Sequence, residues 1–465
     1  MSNQLFSSEN FQYILDKENY KGIYLERIYF PDVEAISQCI SEIKLRKKQY
    51  LQLPKNDHGR HLSIKFANQR KQRLLLKKQD HLEKHLKQIS ERISKNTINL
   101  ELTSSIIKNN PVYTFANVQD PALFFLSKQI NNNLKHTCHL KPSDRNVIIP
   151  QLKTLLSNNF PKIILKADIK KFFESVNRQL LLEKLYSEPQ LSILTKNYIK
   201  QILKEFGKQS KTNSSHIGIP RGLSISSYLA ELYMKNFDDF FKHHPHCSYY
   251  ARYVDDIIII FHPPIFNDPS YNYMDLLQNE LAKLYLQFNT DKTDICSIED
   301  TTSALPYNFE FLGYDFSLTK PNKNIILNLD ISMKKYQRYL KKIEACFTNY
   351  DRNKLKHPTK SIRLLHDRIK FLVNSFHLKN NKNNVLTGLY FSNKFINPQT
   401  NSLSKLQLLD QELQKWINQS NIPAIAVKNI TALTFSFDQS FQAKQYINLP
   451  NKKRLAKLTA IWNNI

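Results

Sequence analysis

Twelve residues constrain the fold more than any other stretch: Tyr249-Tyr250-Ala251-Arg252-Tyr253-Val254-Asp255-Asp256-Ile257-Ile258-Ile259-Ile260. Residues 257–260 form a β-branched run, the mark of a strand buried on both faces. Residues 249–254 are strand-like too, because aromatic and β-branched side chains suit a pleated surface. Two adjacent carboxylates therefore fall at a tight turn between two strands. Charges that close to a core are costly unless something offsets them, and a divalent cation is a natural offset. An acidic hairpin tip is the plainer alternative. The chain carries its own contrast in Asp238-Asp239, which follows a helical pattern at 231–237 and is expected on a solvated face.

At 465 residues the chain is expected to form more than one domain or subdomain. Its 67 Lys and Arg against 40 Asp and Glu leave a net charge of +27. Such an excess suits a polyanionic partner, most simply nucleic acid; the alternative is a basic surface that serves solubility. Five scattered cysteines, an odd number, argue for reduced thiols and a cytoplasmic location rather than a disulfide framework. No apolar run approaches the roughly 18 residues needed to span a bilayer, so no membrane is expected among the partners. The first residues lack a basic segment followed by an apolar one, so no signal peptide is expected.

Along the chain, residues 1–60 mix short helical patterns with aromatic clusters. Residues 63–95 read as one long basic helix with a buried stripe of Leu75, Leu82, Leu86, Ile89 and Ile93. Asn109-Asn110-Pro111 marks a break. Helical patterns follow around 123–134 and 147–156, with Ser143 or Asp144 as N-cap of the second. Residues 163–169 are a buried strand ending at Asp168, and 180–206 are helical. Residues 213–215 are a loop, and the loop 218–226, punctuated by Gly218, Pro220 and Gly222, leads into a helix to 241. Residues 276–286 are helical, 289–293 a turn, and 309–314 a strand with a tight bend at Gly313. Beyond 325 come basic helices at 333–347, 361–376 and 403–417, with a loop at 378–384.

Two strand-borne acid sites far apart in sequence, Asp168 and Asp255-Asp256, can converge if their strands are neighbours in one sheet. Three carboxylates can hold two Mg²⁺ ions, whose shells favour hard oxygen ligands. Two such ions about 3.5–4 Å apart stabilise the attacking and leaving oxygens of an in-line displacement. One activates a 3′-hydroxyl and the other takes up pyrophosphate charge, which is the chemistry of nucleic-acid chain extension.

Five segments, in order, resemble motifs A to E of reverse transcriptases: Asp168-Ile169-Lys170-Lys171-Phe172-Phe173, Gly218-Ile219-Pro220-Arg221-Gly222 with Ser226, Tyr253-Val254-Asp255-Asp256, residues 289–292, and Phe311-Leu312-Gly313-Tyr314. The resemblance covers roughly 140–320. It implies an α/β (α+β) right-hand polymerase with fingers and a ferredoxin-like antiparallel palm. A largely helical N-terminal extension (1–100) forms part of the fingers, the fingers and palm core spans 101–325, and a helical thumb and C-terminal region (326–465) follow. It also implies that Asp168, Asp255 and Asp256 bind metal with help from the Ile169 carbonyl, the ions being two Mg²⁺ with Mn²⁺ as a substitute. Phe173 stands at the steric-gate position, where a flat ring excludes a 2′-hydroxyl; core packing is its plainer reading. Arg221 and Gly222 belong to the loop under the incoming nucleotide. Arg221 departs from the glutamine common in the family and offers a cationic fork for phosphate. Lys292 matches the motif D lysine, a general acid for the pyrophosphate or else a surface lysine. Arg145 and Lys166 are candidates for clamping the triphosphate, or ordinary cap and surface charges. His243-His244-Pro245-His246-Cys247 is too compressed for the usual zinc framework.

Residues 8–22, 220–222, 230–234 and 251–256 resemble bacterial antiphage reverse transcriptases, nearest the first polymerase of the type-three system. That resemblance implies a noncoding RNA template, deoxynucleoside triphosphates as substrates, a DNA product, and a second reverse transcriptase as a partner. A protein-primed or template-independent DNA polymerase is the alternative within catalysis, and an idle RNA-binding scaffold the alternative outside it.

Overall fold

The computed structural model describes residues 4–54, 57–107, 110–209, 216–263, 272–298, 305–321, 324–378, 385–397, 403–420, 435–444, 446–448 and 452–463. The chain opens with helices α1 (Ser8–Tyr20), α2 (Leu25–Tyr29), α3 (Pro31–Gln52) and α4 (His58–Ser94), then a hairpin of β1 (Leu102–Ile107) and β2 (Asn110–Phe115). Helices α5 (Pro121–Thr137) and α6 (Arg145–Leu156) lead to β3 (Lys162–Asp168). Four helices follow: α7 (Phe172–Ser175), α8 (Arg178–Ser187), α9 (Ile193–Gln209) and α10 (Ser224–Lys242). Strands β4 (Cys247–Tyr253) and β5 (Asp256–Phe261), helix α11 (Tyr273–Ala282) and β6 (Asp294–Ile298) come next. A three-stranded antiparallel sheet of β7 (Tyr307–Phe311), β8 (Tyr314–Thr319) and β9 (Ile326–Ile331) precedes α12 (Met333–Asn353) and α13 (Pro358–Val373). The C-terminal part holds β10 (Ser375–Leu378), β11 (Val385–Gly388), α14 (Leu389–Asn393), α15 (Lys405–Gln419), α16 (Phe437–Ala443), β12 (Tyr446–Asn448) and α17 (Lys452–Thr459).

The chain divides into two compact units that cut across the 101–325 segment. One comprises 1–142, 169–241 and 275–289; the other comprises 143–168, 242–274 and 290–465. In the first unit, α4 packs on α1, α3 and α5. Leu82, Leu86, Ile89 and Ile93 are buried as their spacing predicts, but Leu75, assigned to the same stripe, is 40% exposed. The buried Tyr198 hydroxyl donates to the Ile93 carbonyl near the helix end.

The second unit contains the central sheet, with strands in the order β4-β5-β3-β6, all neighbours antiparallel. In chain order this is β-α-β-β-α-β, with the four strands lying 2-3-1-4 across the sheet, the ferredoxin-like arrangement. The fold is therefore mixed α/β with an antiparallel palm. β5 is an inner strand, which explains its uninterrupted isoleucines: Ile257 to Ile260 are at most 3% exposed. Ile164, Ile258 and Ile260 share a core with Ile149 of α6, Phe316 of β8, Phe347 of α12, Ile369 of α13 and Leu413 of α15. Each such side chain contributes roughly 1.5–3 kcal/mol by leaving water.

Several expectations need correction. Residues 108–109, where part of the expected break falls, lie outside the described residues; Asn110 and Pro111 begin β2, which pairs with β1 in a mostly exposed hairpin that lacks the apolar alternation marking a half-buried strand. The helix expected over 180–206 is two, α8 and α9, with Pro189 between them. The helix expected to reach Phe376 stops at Val373, and Phe376 is a buried strand residue. Asp238 is only 9% exposed, so the Asp238-Asp239 pair is not wholly solvated. The 243–247 tract packs as aromatic rings: His244 lies edge-on to Phe261 at 5.9 Å, and His246 meets Tyr273 at 6.3 Å. Residues 213–215 and 379–384 lie outside the described residues.

Candidate active site

The acidic turn is built by the sheet. β4 ends at Tyr253, β5 begins at Asp256, and Val254 and Asp255 make the turn between them. Val254 adopts φ +60°, a left-handed conformation that a β-branched residue rarely takes. Arg252, 3% exposed, donates from Nη1 to the Val254 carbonyl at 3.0 Å and ties the turn to its own strand. This buried cation one residue before the strand end is a supporting part that motif reading misses; a charged residue inside an otherwise apolar strand was its signal.

Register then brings in the distant acid. Asp168 lies directly opposite Asp256 across β3 and β5, with Ala167 opposite Ile257 and Lys166 opposite Ile258. Directly opposed residues share a face, so Lys166, Asp168 and Asp256 share the sheet face that Ile164 and Ile258 give to the core. On the other side of β3, Lys166 lies opposite Asp294. Like charges directly opposed across strands are destabilising. Burial, then the charges of Asp255 and Asp168, push the Asp256 carboxyl up to about 6, while Lys166 and Lys292 pull the other way.

Lys292 sits in a 3-10 turn, Thr290–Lys292, and its Nζ lies 3.3 and 3.2 Å from the two carboxylate oxygens of Asp168. The Thr293 hydroxyl accepts from the Asp168 backbone N–H at 3.5 Å. Among the described residues, no three His, Cys, Asp or Glu side chains form a ready metal-binding group. The donors nevertheless suit a hard divalent cation: three carboxylates at one sheet end, two of them directly opposed.

The other candidates lie in different surroundings. Arg145 Nη2 donates to the Ser392 carbonyl at 3.1 Å, and its guanidinium stands 5.5 Å from the centre of the Tyr314 ring. Lys335 approaches the same ring at 4.8 Å. Leu312 and Gly313 both have positive φ, so β7 and β8 are joined by a tight two-residue turn. A Cβ on Gly313 would lie 2.8 Å from Lys335 Cε.

Phe173, Arg221 and Gly222 belong to the first unit. There the Ile219 N–H donates to the Phe173 carbonyl at 2.8 Å, and the Gly218 N–H to that of Val176 at 2.7 Å. Gly222 has φ +106°, and a Cβ there would stand 2.8 Å from the Tyr113 carbonyl, so glycine is required by both conformation and space. The Arg221 fork expected to meet phosphate is instead engaged by Glu174, at 2.9 to 3.2 Å. Glu174 is a second residue that motif reading misses.

An antiparallel 2-3-1-4 sheet with aspartates at the ends of its two central strands is the palm of a nucleotidyl-transferring polymerase. The reverse transcriptase (RNA-dependent DNA polymerase) family model matches residues 77–316, just over half of the chain. The chain belongs to that family. No curated protein matches the sequence. Solved structures similar to it include apo telomerase from Candida tropicalis, 13% identical over 78% of this chain and 60% of that one, with TM-score 0.37. Telomerase from Candida albicans in complex with a TWJ fragment of telomeric RNA is 12% identical over 78% and 64%, with TM-score 0.34. The chain spans between 54% and 64% of the length of the telomerase chains it matches, and nothing further rests on likenesses this distant.

Proposed function

We propose that this protein is an RNA-directed DNA polymerase that adds deoxynucleotides by two-metal phosphoryl transfer. The observation that carries the reading is the direct opposition of Asp168 and Asp256 at the end of the central strands, with Asp255 beside them. Asp168, Asp255 and the Ile169 carbonyl would hold two Mg²⁺ ions, or Mn²⁺ in their place, with Asp256 a less direct ligand. Bound there, the ions would supply Lewis-acid activation of a 3′-hydroxyl and neutralise charge on the pyrophosphate.

The chain's own residues supply the remaining roles. Lys292 orients Asp168 through its ion pair and stands as the proton donor to the pyrophosphate. Phe173 excludes a 2′-hydroxyl, the group that separates RNA from DNA building blocks. Arg221 and Gly222 belong to the loop beneath the nucleotide, and Arg145 and Lys166 are candidate phosphate contacts. The basic helices track a template–primer duplex through its phosphates, in keeping with the net charge of +27.

The finer reading is a cytoplasmic, bacterial antiphage enzyme with a noncoding RNA template and a second reverse transcriptase as a partner. It is supported by the sequence resemblance at 8–22, 220–222, 230–234 and 251–256. All five cysteines are free in the structure. Among the described residues, no helix is long and apolar enough to cross a membrane.

Purified protein is incubated with Mg²⁺, a primed RNA template and labelled deoxynucleotides, beside Asp255→Ala/Asp256→Ala. Incorporation by the wild type alone is expected. Equal incorporation by both proteins would sink the reading; none by either, with tight RNA binding, would favour a scaffold. Incorporation without added primer or template would favour the protein-primed or template-independent alternative. Sequencing the nucleic acid that co-purifies identifies template and product.

A further inference from the structure

We infer that Arg221 is a positioning residue: anchored by Glu174, it holds the Phe173 ring and thereby sets the preference for deoxynucleotides over ribonucleotides. The inference rests on the polymerase reading above. It assigns Arg221 to the gate rather than to a phosphate of the nucleotide.

The arrangement is built in layers. The Phe173 ring is half-buried. Phe172, 1% exposed, meets it edge-on, with ring centroids 5.7 Å apart. The Arg221 guanidinium also meets the ring, 5.3 Å from its centre and within cation–π range. The ring is thus bounded by a rigid aromatic and by a planar cation.

The cation is itself fixed. Arg221 Nε lies 3.1 Å from Glu174 Oε1, and Nη2 lies 2.9 and 3.2 Å from Oε1 and Oε2. Two donors on one carboxylate restrict the guanidinium plane as well as its position. Glu174 is the residue next to Phe173, so the pair closes a small loop from the gate residue through its neighbour to the arginine and back onto the ring. The backbone repeats the link, because the Ile219 N–H donates to the Phe173 carbonyl. On its other side the Arg221 carbonyl accepts from the Tyr113 N–H at 2.7 Å, which ties the loop to β2. An arginine held at backbone and side chain alike is poorly placed to follow a moving phosphate and well placed to brace a ring.

Glutamine is too short and uncharged to make the same bidentate pair while covering the ring. Lysine keeps the charge but has no plane to stack. The two substitutions therefore separate charge from shape.

The test measures kcat/KM for single incorporation of a deoxynucleotide and of its ribonucleotide, on one primed RNA template with Mg²⁺. The proteins are wild type, Arg221→Gln, Arg221→Lys, Glu174→Gln, Phe173→Ala and Phe173→Ala/Arg221→Gln. The ratio of deoxy- to ribonucleotide kcat/KM is expected to fall by about threefold to tenfold in Arg221→Gln and Glu174→Gln, the scale of an exposed cation–π contact and its ion pair. Arg221→Lys is expected to fall between these and the wild type. In the Phe173→Ala background, Arg221→Gln should leave the already low ratio unchanged, because there is no ring left to brace.

The opposite pattern overturns the inference. If Arg221 binds phosphate, Arg221→Gln raises KM equally for both nucleotides, the ratio holds, and Glu174→Gln tightens binding by freeing the cation. Should Arg221→Gln melt below the assay temperature, Glu174→Gln carries the test, since it releases the same fork while keeping the arginine. Wild type that incorporates neither nucleotide overturns the polymerase reading itself. Wild type that incorporates with an unmoved ratio in every Arg221 and Glu174 variant overturns only the gate assignment.

Discussion

The chain contains the dipeptide Asp-Asp twice in useful contrast, at 255-256 and at 238-239. At 255-256 the pair spans the turn from β4 to β5, both residues are half-buried, and register adds Asp168 opposite the second. At 238-239 the pair rides on α10, where about 100° of rotation per residue sends one inward and the other outward. Asp238 is buried and Asp239 exposed. The half-buried Lys184 feels the Asp238 charge, which opposes the lowering of its own pKa by burial. The helix splits its two charges and gives the inner one a cation. The hairpin crowds its charges and adds a third across the sheet, which is why the proposed ions are assigned there and not to the helix.

Activity is the sharpest way to break this contrast. Asp255→Ala/Asp256→Ala is expected to lower deoxynucleotide incorporation by on the order of a thousandfold or more, with its melting temperature preserved. Asp239→Asn is expected to leave incorporation within about twofold and stability within about 0.5 kcal/mol. Comparable losses from both changes would show that position in the fold does not separate the pairs.

The cation beside the hairpin acids comes next. Lys292→Ala is expected to reduce incorporation by about a hundredfold, within the usual scale for a general acid. Lys292→Arg keeps the ion pair with Asp168 but cannot release a proton. Activity restored by arginine would mean that the ion pair is what matters; activity still lost would mean that the proton matters.

How much of this was legible in the sequence depends on how local the signal is. The turn at 254-255 follows from the isoleucine run and the aromatic run that flank it, and the bend at Gly313 from one glycine. The opposition of Asp168 and Asp256 is non-local: a one-residue slip in register would put the two acids on opposite faces, and only the paired strands fix it. The burial of Asp238 is not a property of the dipeptide as a unit: helical periodicity separates its members. The β1–β2 hairpin leaves no apolar alternation in the sequence because it exposes Ile106 and Ile107, at 81% and 53%. The Arg221–Glu174 pair joins residues 47 positions apart, which no spacing rule anticipates.

Stability tests the inner member of the helical pair. Asp238→Ala is expected to cost about 1–3 kcal/mol in denaturant unfolding, because it removes a buried carboxylate whose charge acts on the half-buried Lys184. A cost as small as that of Asp239→Asn would place Asp238 with the solvated charges after all.

Backbone strain gives the smallest effect and the one with opposite signs in the two regions. Val254 holds φ +60° beside the hairpin acids, a conformation that costs a β-branched residue about 1–3 kcal/mol. Glycine removes that strain but adds freedom to the unfolded chain and gives up a half-buried side chain. Val254→Gly is therefore expected to stabilise by at most about 0.5–1 kcal/mol. It is also expected to lower incorporation, because the turn that carries Asp255 becomes less rigid. Asn236 is exposed in the helix two residues before Asp238, with nothing to relieve. Asn236→Gly should destabilise by a few tenths of a kcal/mol, as ordinary helix propensity dictates, and leave incorporation unchanged. Denaturation midpoints that move the same way in both variants would mean that Val254 is not strained. Opposite shifts, with activity lost only in Val254→Gly, would mean that the acidic turn is held in an unfavourable conformation for the sake of where it points its carboxylates.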